Sequence, residues 1–522
     1  MATVYSLIAW GGRTGKTVSL SASTDVVTLT NHGLRDGTKL WPSGTLPAEL
    51  NTSTPVYARS TADNTFTLHT SSAGAIANTG QITFAGSSTY AAVVLKSDLV
   101  ANAASALAPY GLSDLSRWGS SGSERIYDGL TNWRSVRNGA TTAYDTEIAE
   151  LGEAFVETIT SEITLNMACA ETKITSLVNG VRSSAFHAGY VGSLLTTSGY
   201  CLFASGAING LNASGGNITI DGFAEHIYNS GSFGVTVSGY NTEVKNMLIR
   251  GGSGGSMCAI QLIQPAVMSK IHHNIILETG WVALYSGGGQ GAGSVIYNNL
   301  IHDCYVGFYG EGSLNRGTYY NNIAVGNGTN WHSSSPSNMV AAYNFGESTG
   351  NTPWNTGATT YVNTMVSGDF VDYANHDFTT SSASAHQVDA AIAVPLAAAF
   401  DLLGNEVPNY NNGAAEYWDG GPIEFNHGYI RPASHELTLT NVVVGSRVFI
   451  RDQADTTTHH DDIAASSTVV VTVTVYGDTK DNWRIRIRKA SASPYYQPYE
   501  TLMTATAGES SIYVSQIPDE PL

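Results

Sequence analysis

The chain has 522 residues and a formal net charge of −18, although only 13% of its residues are charged. That length calls for two to four domains rather than one core. An acidic surface without clustered Lys and Arg excludes nucleic acid as a partner, because phosphate binding needs such clusters.

The 55 Gly and 27 Tyr, with many Ser, Thr and Asn, suit an all-β protein whose faces are rich in hydroxyls and amides. Cys169, Cys201, Cys258 and Cys304 stand far apart without CxxC spacing, which argues against zinc and against a disulfide-stapled domain. No run approaches the roughly 18 apolar residues of a membrane span. The start, MATVYSLIAWGG, lacks a basic region before its short apolar run, so a secretion signal is not expected. No cofactor or metal is expected either.

Residues 1–20 read as an N-terminal arm. Within it, GGRTGKT (Gly11–Thr17) is one residue short of a phosphate loop, because Trp10 stands where the first Gly belongs. The adjoining TVSLSAST reads as strand where that motif needs a helix, so a glycine turn is the better reading. Residues 21–90 read as a small β module with strands VVTLT, KLW, PVYARS and NTFTLHT. Residues 91–125 carry Ala and Leu and break at Pro109, the pattern of a helical linker.

Residues 126–423 read as a parallel β-solenoid with its cap and closing segment. Ile148, Leu151 and Phe155 fit a helix face, while ITSEITLN alternates like a strand; this stretch is expected to cap the solenoid and start its first coil. Glu147, Glu150, Glu153 and Glu157 are then expected on a solvated face. Beyond them, Asp221, Asn246, Asn274, Asn299, Asn322 and Asn344 each precede a short apolar run, at spacings of 25, 28, 25, 23 and 22 residues. A repeat of this length with two or three short strands describes one solenoid coil. Asn at one place in successive coils can form a ladder that satisfies both its amide and its carbonyl. The residue two further on (Phe223, Leu248, Ile276, Ile301, Ala324) should face inward by the period of 2.

Four residues after each marker come Glu225, Arg250, Glu278, Asp303 and Gly326. On adjacent rungs, Glu278 and Asp303 would sit at about the separation of a retaining glycosidase pair, with His302 nearby as a candidate base. The competing reading is an ion-pair ladder, because Arg250 lies between Glu225 and Glu278. Trp281, Tyr285, Tyr305 and Tyr309 are candidate glycan-binding aromatics if they face outward, since ring faces pack on sugar C–H surfaces. His459–Asp462 has the composition of a metal cluster but reads as a solvated turn. Residues 424–522 form a further β domain: Trp483, Ile485 and Ile487 alternate with Arg484, Arg486 and Arg488, the pattern of a sandwich-like module.

Three stretches resemble known proteins. TLTNHGLRDGTKLWPSGTLPAELNTSTPVYARSTADNTFTLHTSSAGA is similar to a small module that recurs in tailed-phage virion proteins. Asp377-Phe378, Ser384, Val388-Asp389-Ala390 and Asp401 through Gly404-Asn405 resemble the closing segment of many right-handed parallel β-helix proteins, with Ala385 where Pro is usual and Val407-Pro408 where Arg-Pro is usual. ELTLTNVVVGSRVFIRD through RIRIRKAS, YYQPYET and SIYVSQIPD resembles a C-terminal module of phage tail and spike proteins. These resemblances imply an all-β, right-handed parallel β-helix in a virion surface protein: a spike, fibre or decoration protein. Its expected partners are two further copies in a homotrimer, other virion proteins, and a host surface polysaccharide or receptor. A polysaccharide depolymerase and a secreted adhesin are the alternatives.

Overall fold

The computed structural model describes residues 3–103, 105, 126–137, 146–153, 155–167, 170–178, 181–182, 200–222, 224–227, 233–251, 258–263, 266, 268–287, 293–311, 317–333, 340–347, 365–375, 377–382, 385, 409–411, 415–417, 435–452, 458–473, 481–488, 499–505 and 508–514. Phe223, linker residues 106–125 and most of the closing segment, Ser384 and residues 386–408, lie outside them.

Short strands, of three to six residues in the central coils, stack in parallel register into three sheets. Five successive coils from Ile218 to Ser333 each give one strand to each sheet. The inward residues fill one continuous core: Ile220, Val244, Ile271, Ile296 and Tyr319 from the first sheet, Ile249, Ile276 and Ile301 from the second, Ile260, Leu284, Phe308 and Trp331 from the third. Phe308 and Trp331 stack at 4.3 Å and 5°. This is a parallel β-helix. No single coil can bury its own apolar face, so each rung is stable only between its neighbours.

The expected arm is not an arm. Thr3–Ile8 pairs along its whole length with Thr146–Leu151 and also with Ile126–Tyr127, extending the first sheet past the first coil. An apolar strand (Val4, Leu7 and Ile8 buried) next to an open rung gains hydrogen bonds and removes an edge. The intervening chain forms a closed antiparallel barrel of Lys16–Ser21, Val26–Thr28, Thr65–His69, Val56–Ala62, Thr38–Gly44 and Thr89–Ser97. The barrel thus takes one strand from the expected arm and one from the expected linker, and with them it closes without edges. GGRTGKT is a turn: Gly11, Gly12 and Gly15 have positive φ and Lys16 starts a strand.

The cap is a helix, Leu130–Arg137, which buries Leu130 and Trp133. Residues 146–151, where a helix face was expected, are a strand. The four acids here do not form a solvated face. Glu147 is buried and holds Arg137 through two bonds of 3.0 and 2.8 Å. Glu150 is buried. Glu157 accepts the Leu130 and Thr131 N–H groups at 2.7 and 3.0 Å and the Tyr200 hydroxyl, neutralising the free donors at the start of the helix. Glu147 and Glu157 are each placed by fixed donors that sequence alone does not reveal.

A second compact unit comprises residues 410–415 and 426–522. His435–Thr440 pairs with Thr468–Val473 and Gly508–Tyr513, while Arg447–Asp452 pairs with Thr458–Ile463 and Asp481–Arg488, and the latter with Tyr499–Ala505. Both sheets feed one core of Leu437, Leu439, Val448, Ile450, Ile485 and Ile487. His459–Asp462, expected as a turn, lies in a strand.

Candidate functional site

The coil geometry shows which marker residues stack. Leu248, Ile275, Leu300, Ile323 and Phe345 are in register, so the position before them holds Met247, Asn274, Asn299, Asn322 and Asn344. The four Asn of that row are fully buried. Asn274 Nδ2 donates to Asn299 Oδ1 at 2.9 Å, Asn299 Nδ2 to Asn322 Oδ1 at 2.9 Å, and Asn322 Nδ2 to Asn344 Oδ1 at 3.0 Å. Asn246 and Asp221 are not in this row. Asn246 aligns with His273, Asn298 and Asn321, which all take left-handed backbone (φ 52° to 56°), and Asp221 aligns with Lys245, His272 and Tyr297. Asn is favoured both in the ladder and at the left-handed bend before it, and that double use misplaces the first two markers. The two outliers still meet: Asn246 Nδ2 donates to Asp221 Oδ1 at 2.8 Å.

The same register dissolves the expected charged column. Glu278, Asp303 and Gly326 share a left-handed bend (φ 53°, 53° and 67°) where the chain leaves the second sheet. Arg250 instead aligns with Leu277 and His302, and Glu225 with Ile249. Arg250 reaches diagonally to Glu278, with Nε–Oε2 2.5 Å and Nη2–Oε1 2.6 Å. That fork engages both oxygens of Glu278 with one guanidinium. Asp303 is exposed, and its carboxylate has no hydrogen bond or ion pair among the described residues. His302 does not face it as a base. It is buried, bonded through Nδ1 to the Val325 carbonyl (3.2 Å), and covered by Tyr373 and Phe378 at ring distances of 4.6 and 5.1 Å.

Beyond this bend the third sheet carries the aromatics. Gln261, Tyr285, Tyr309 and His332 occupy one register position in successive coils. Tyr285 and Tyr309 stack at 5.4 Å and 16°, Tyr309 and His332 at 4.7 Å and 11°. Trp281 packs tilted against both tyrosines, at 6.0 and 6.3 Å. Together with Phe233, Cys258, Val282 and Val306 they form an apolar patch separate from the main core. The tyrosine faces cover each other, so the pair does not form the expected stacking platform. It presents ring edges and hydroxyls instead. Tyr305 differs: it is 66% exposed, two residues from Asp303, and stacks on no ring among the described residues. Its ring lies beside Gly328, where a Cβ would meet its Cδ2 at 3.7 Å.

One strip therefore holds an open aromatic face, a free carboxylate, and a column of phenol and imidazole edges. Among the described residues Arg250 is its cation, and it is already paired. This arrangement can accept and donate hydrogen bonds to hydroxyls while packing one apolar ring face.

A second polar group lies on the first sheet. His272 Nε2 meets Glu243 at 3.1 Å, His272 Nδ1 meets His273 Nδ1 at 2.8 Å, and His273 Nε2 meets Asn298 Nδ2 at 3.3 Å. With Asn298 donating and Glu243 accepting, one proton arrangement fits: Nε2–H on His272 and Nδ1–H on His273, both rings neutral. Burial lowers both histidines below their ordinary range. Burial alone would raise Glu243, but His272 and Lys245 bring it down to about 2. Both imidazoles are buried and His272 stacks on Tyr297 at 4.5 Å, so this network is structural.

No protein-family model matches the chain, and no curated protein matches it. Among solved structures, a pectate lyase, Pel9A, aligns with 56% of this chain and 90% of its own, at 14% identity and a TM-score of 0.23.

Proposed function

We propose that the chain is a virion surface protein, a homotrimeric spike, fibre or decoration protein, whose β-helix attaches to a host surface polysaccharide. The observation that carries the glycan reading is the strip of Tyr305, Trp281, Tyr285, Tyr309 and His332 beside Asp303. Sugars combine apolar C–H faces with hydroxyls, and this strip offers one open ring and several polar edges to match them. Among the described residues the cation of the strip is Arg250, already paired with Glu278, and the whole chain carries −18. A neutral glycan therefore fits better than a polyanionic one. The virion setting, the trimer and the other virion proteins as partners rest on the phage-like modules at either end of the sequence.

Depolymerase activity is the second reading, and Asp303 favours it: an unpaired carboxylate beside an exposed ring could serve at a scissile bond. Incubation of the protein with purified neutral and acidic bacterial surface polysaccharides, followed by binding and fragment release, tests both. Binding to a neutral glycan without release supports attachment. Release that is lost in Asp303→Asn would establish the enzyme. No binding to any polysaccharide would remove both.

A further inference from the structure

A cavity of about 400 Å³ lies where the barrel, the cap helix and the first coil meet. Its volume is toward the small end for ligand pockets, which span about 300–1,000 Å³. The cap helix Leu130–Arg137 lends it one face: Thr131, Asn132 and Ser135 line the cavity, while Leu130 and Trp133 are buried. Asn31, at a left-handed bend (φ 48°), lines it from the barrel. Thr158, in the strand Val156–Ile159, lines it from the first coil. None of these five side chains has a hydrogen-bond partner among the described residues.

The walls are fixed by bonds that leave those five groups free. The Val156 N–H donates to the Gly33 carbonyl at 2.9 Å, and a Cβ on Gly33 would collide with the Val156 carbonyl. Trp10 Nε1 donates to the His32 carbonyl at 2.7 Å. Asp128 takes Lys16 Nζ at 3.1 Å and the Gly11 N–H at 2.6 Å, and Glu157 is held by the Leu130 and Thr131 N–H groups and the Tyr200 hydroxyl. The strand Val156–Ile159 is also the first of the second sheet, so one of its edges turns away from the coils. Val156 spends its N–H on Gly33 along that edge. Thr158, two residues on, directs its N–H and C=O the same way, and neither has a partner among the described residues.

We infer that this cavity is a second saccharide site, separate from the Tyr305 strip and not dependent on it, which takes a neutral mono- or disaccharide. Amide and hydroxyl side chains both donate and accept, as does the free edge of Thr158, and sugar hydroxyls do the same. An anionic ligand would meet two carboxylates, Asp128 and Glu157, against the one ammonium of Lys16. A peptide strand would need the whole edge, which the bond between Val156 and Gly33 interrupts.

Saturation-transfer NMR on the full chain, with D-glucose, D-galactose, N-acetyl-D-glucosamine, cellobiose and lactose as probes, reads the binding. Carried out in Tyr305→Ala protein, where the strip is weakened, it reports on the cavity. At least one of these sugars should bind there at millimolar concentration. Asn132 and Ser135 are at exposed helix positions, so variants at both keep the core. Added to Tyr305→Ala, Ser135→Trp fills the cavity mouth and should abolish binding, and Asn132→Ala should weaken it by about two- to tenfold. Absence of binding by all five sugars in Tyr305→Ala protein would overturn the inference. So would binding that is unchanged by Asn132→Ala or retained by a folded Ser135→Trp protein.

Discussion

Replacing Asn299 by Leu removes one rung of the buried ladder, and the structure gives the cost. The Asn299 side chain accepts from the Asn274 N–H (3.1 Å) and Nδ2 (2.9 Å), and donates to the Ile271 carbonyl (2.9 Å), the Tyr297 carbonyl (3.0 Å) and Asn322 Oδ1 (2.9 Å). Two of these partners keep another bond: Asn274 Nδ2 still reaches the Val244 carbonyl, and Asn322 Oδ1 still accepts the Asn299 N–H. The Asn274 backbone N–H keeps neither Asn299 oxygen nor access to water, a loss of about 1–3 kcal/mol. Two carbonyls each lose a bond of about 0.5–1.5 kcal/mol. The added apolar contact of Leu offsets part of this, leaving a destabilisation of about 3 kcal/mol. Urea unfolding followed by far-UV circular dichroism measures it. Asn246→Gly is the control, because it keeps the left-handed backbone and loses the bond to Asp221; it should cost less than about 1 kcal/mol. A loss below about 1 kcal/mol for Asn299→Leu, or an equal loss for both variants, would refute the register on which this reasoning stands.

The same geometry sets other outcomes. Tyr305→Ala should weaken glycan binding by tenfold or more, about 1.4 kcal/mol, whereas Tyr285→Phe, which keeps the ring stack and loses one hydroxyl, should weaken it less; titration calorimetry distinguishes them. Stability of the β-helix should fall as pH drops below about 6.5: His272 and His273 are lowered on folding, so the unfolded chain takes up protons first. Glu243 acts in the same direction between 4.5 and about 2, and thermal melts from pH 7 to pH 4 would show the decline. Glu278→Gln breaks the fork to Arg250 and should cost up to about 1 kcal/mol at this partly exposed site without changing glycan binding. A loss of binding equal to that of Tyr305→Ala would place Glu278 in the recognition surface instead.

The β-helix was legible because its signal repeats: Asn274, Asn299 and Asn322 each precede a three-residue apolar strand, and repetition averages out local ambiguity. The register was only half legible. Asn298 and Asn299 are adjacent and perform different tasks, bend and ladder, and where only one Asn is present, as at Asn246, nothing local tells them apart. The aromatics were legible as a cluster, but which ring keeps a free face depends on stacking across coils, a property of the third dimension. The cap was the least legible part. Glu147, Glu153 and Glu157, spaced by six and four residues, read as a solvated face, yet each is held by donors from distant sequence: Ser6 and Arg137, Trp10 and Leu99, Leu130 and Tyr200. The strand Thr3–Ile8 escaped for the same reason, since its partner lies about 140 residues away across the inserted barrel.

Whether the strip from Tyr305 to His332 binds a neutral polysaccharide is tested most directly by one affinity measurement. Wild-type and Tyr305→Ala protein are titrated with a panel of purified neutral and acidic bacterial surface polysaccharides, with circular dichroism confirming that the variant is folded. The wild type should bind a neutral glycan, and the variant should bind it at least tenfold more weakly. Equal binding by the two folded proteins, or binding confined to acidic glycans, would contradict that assignment.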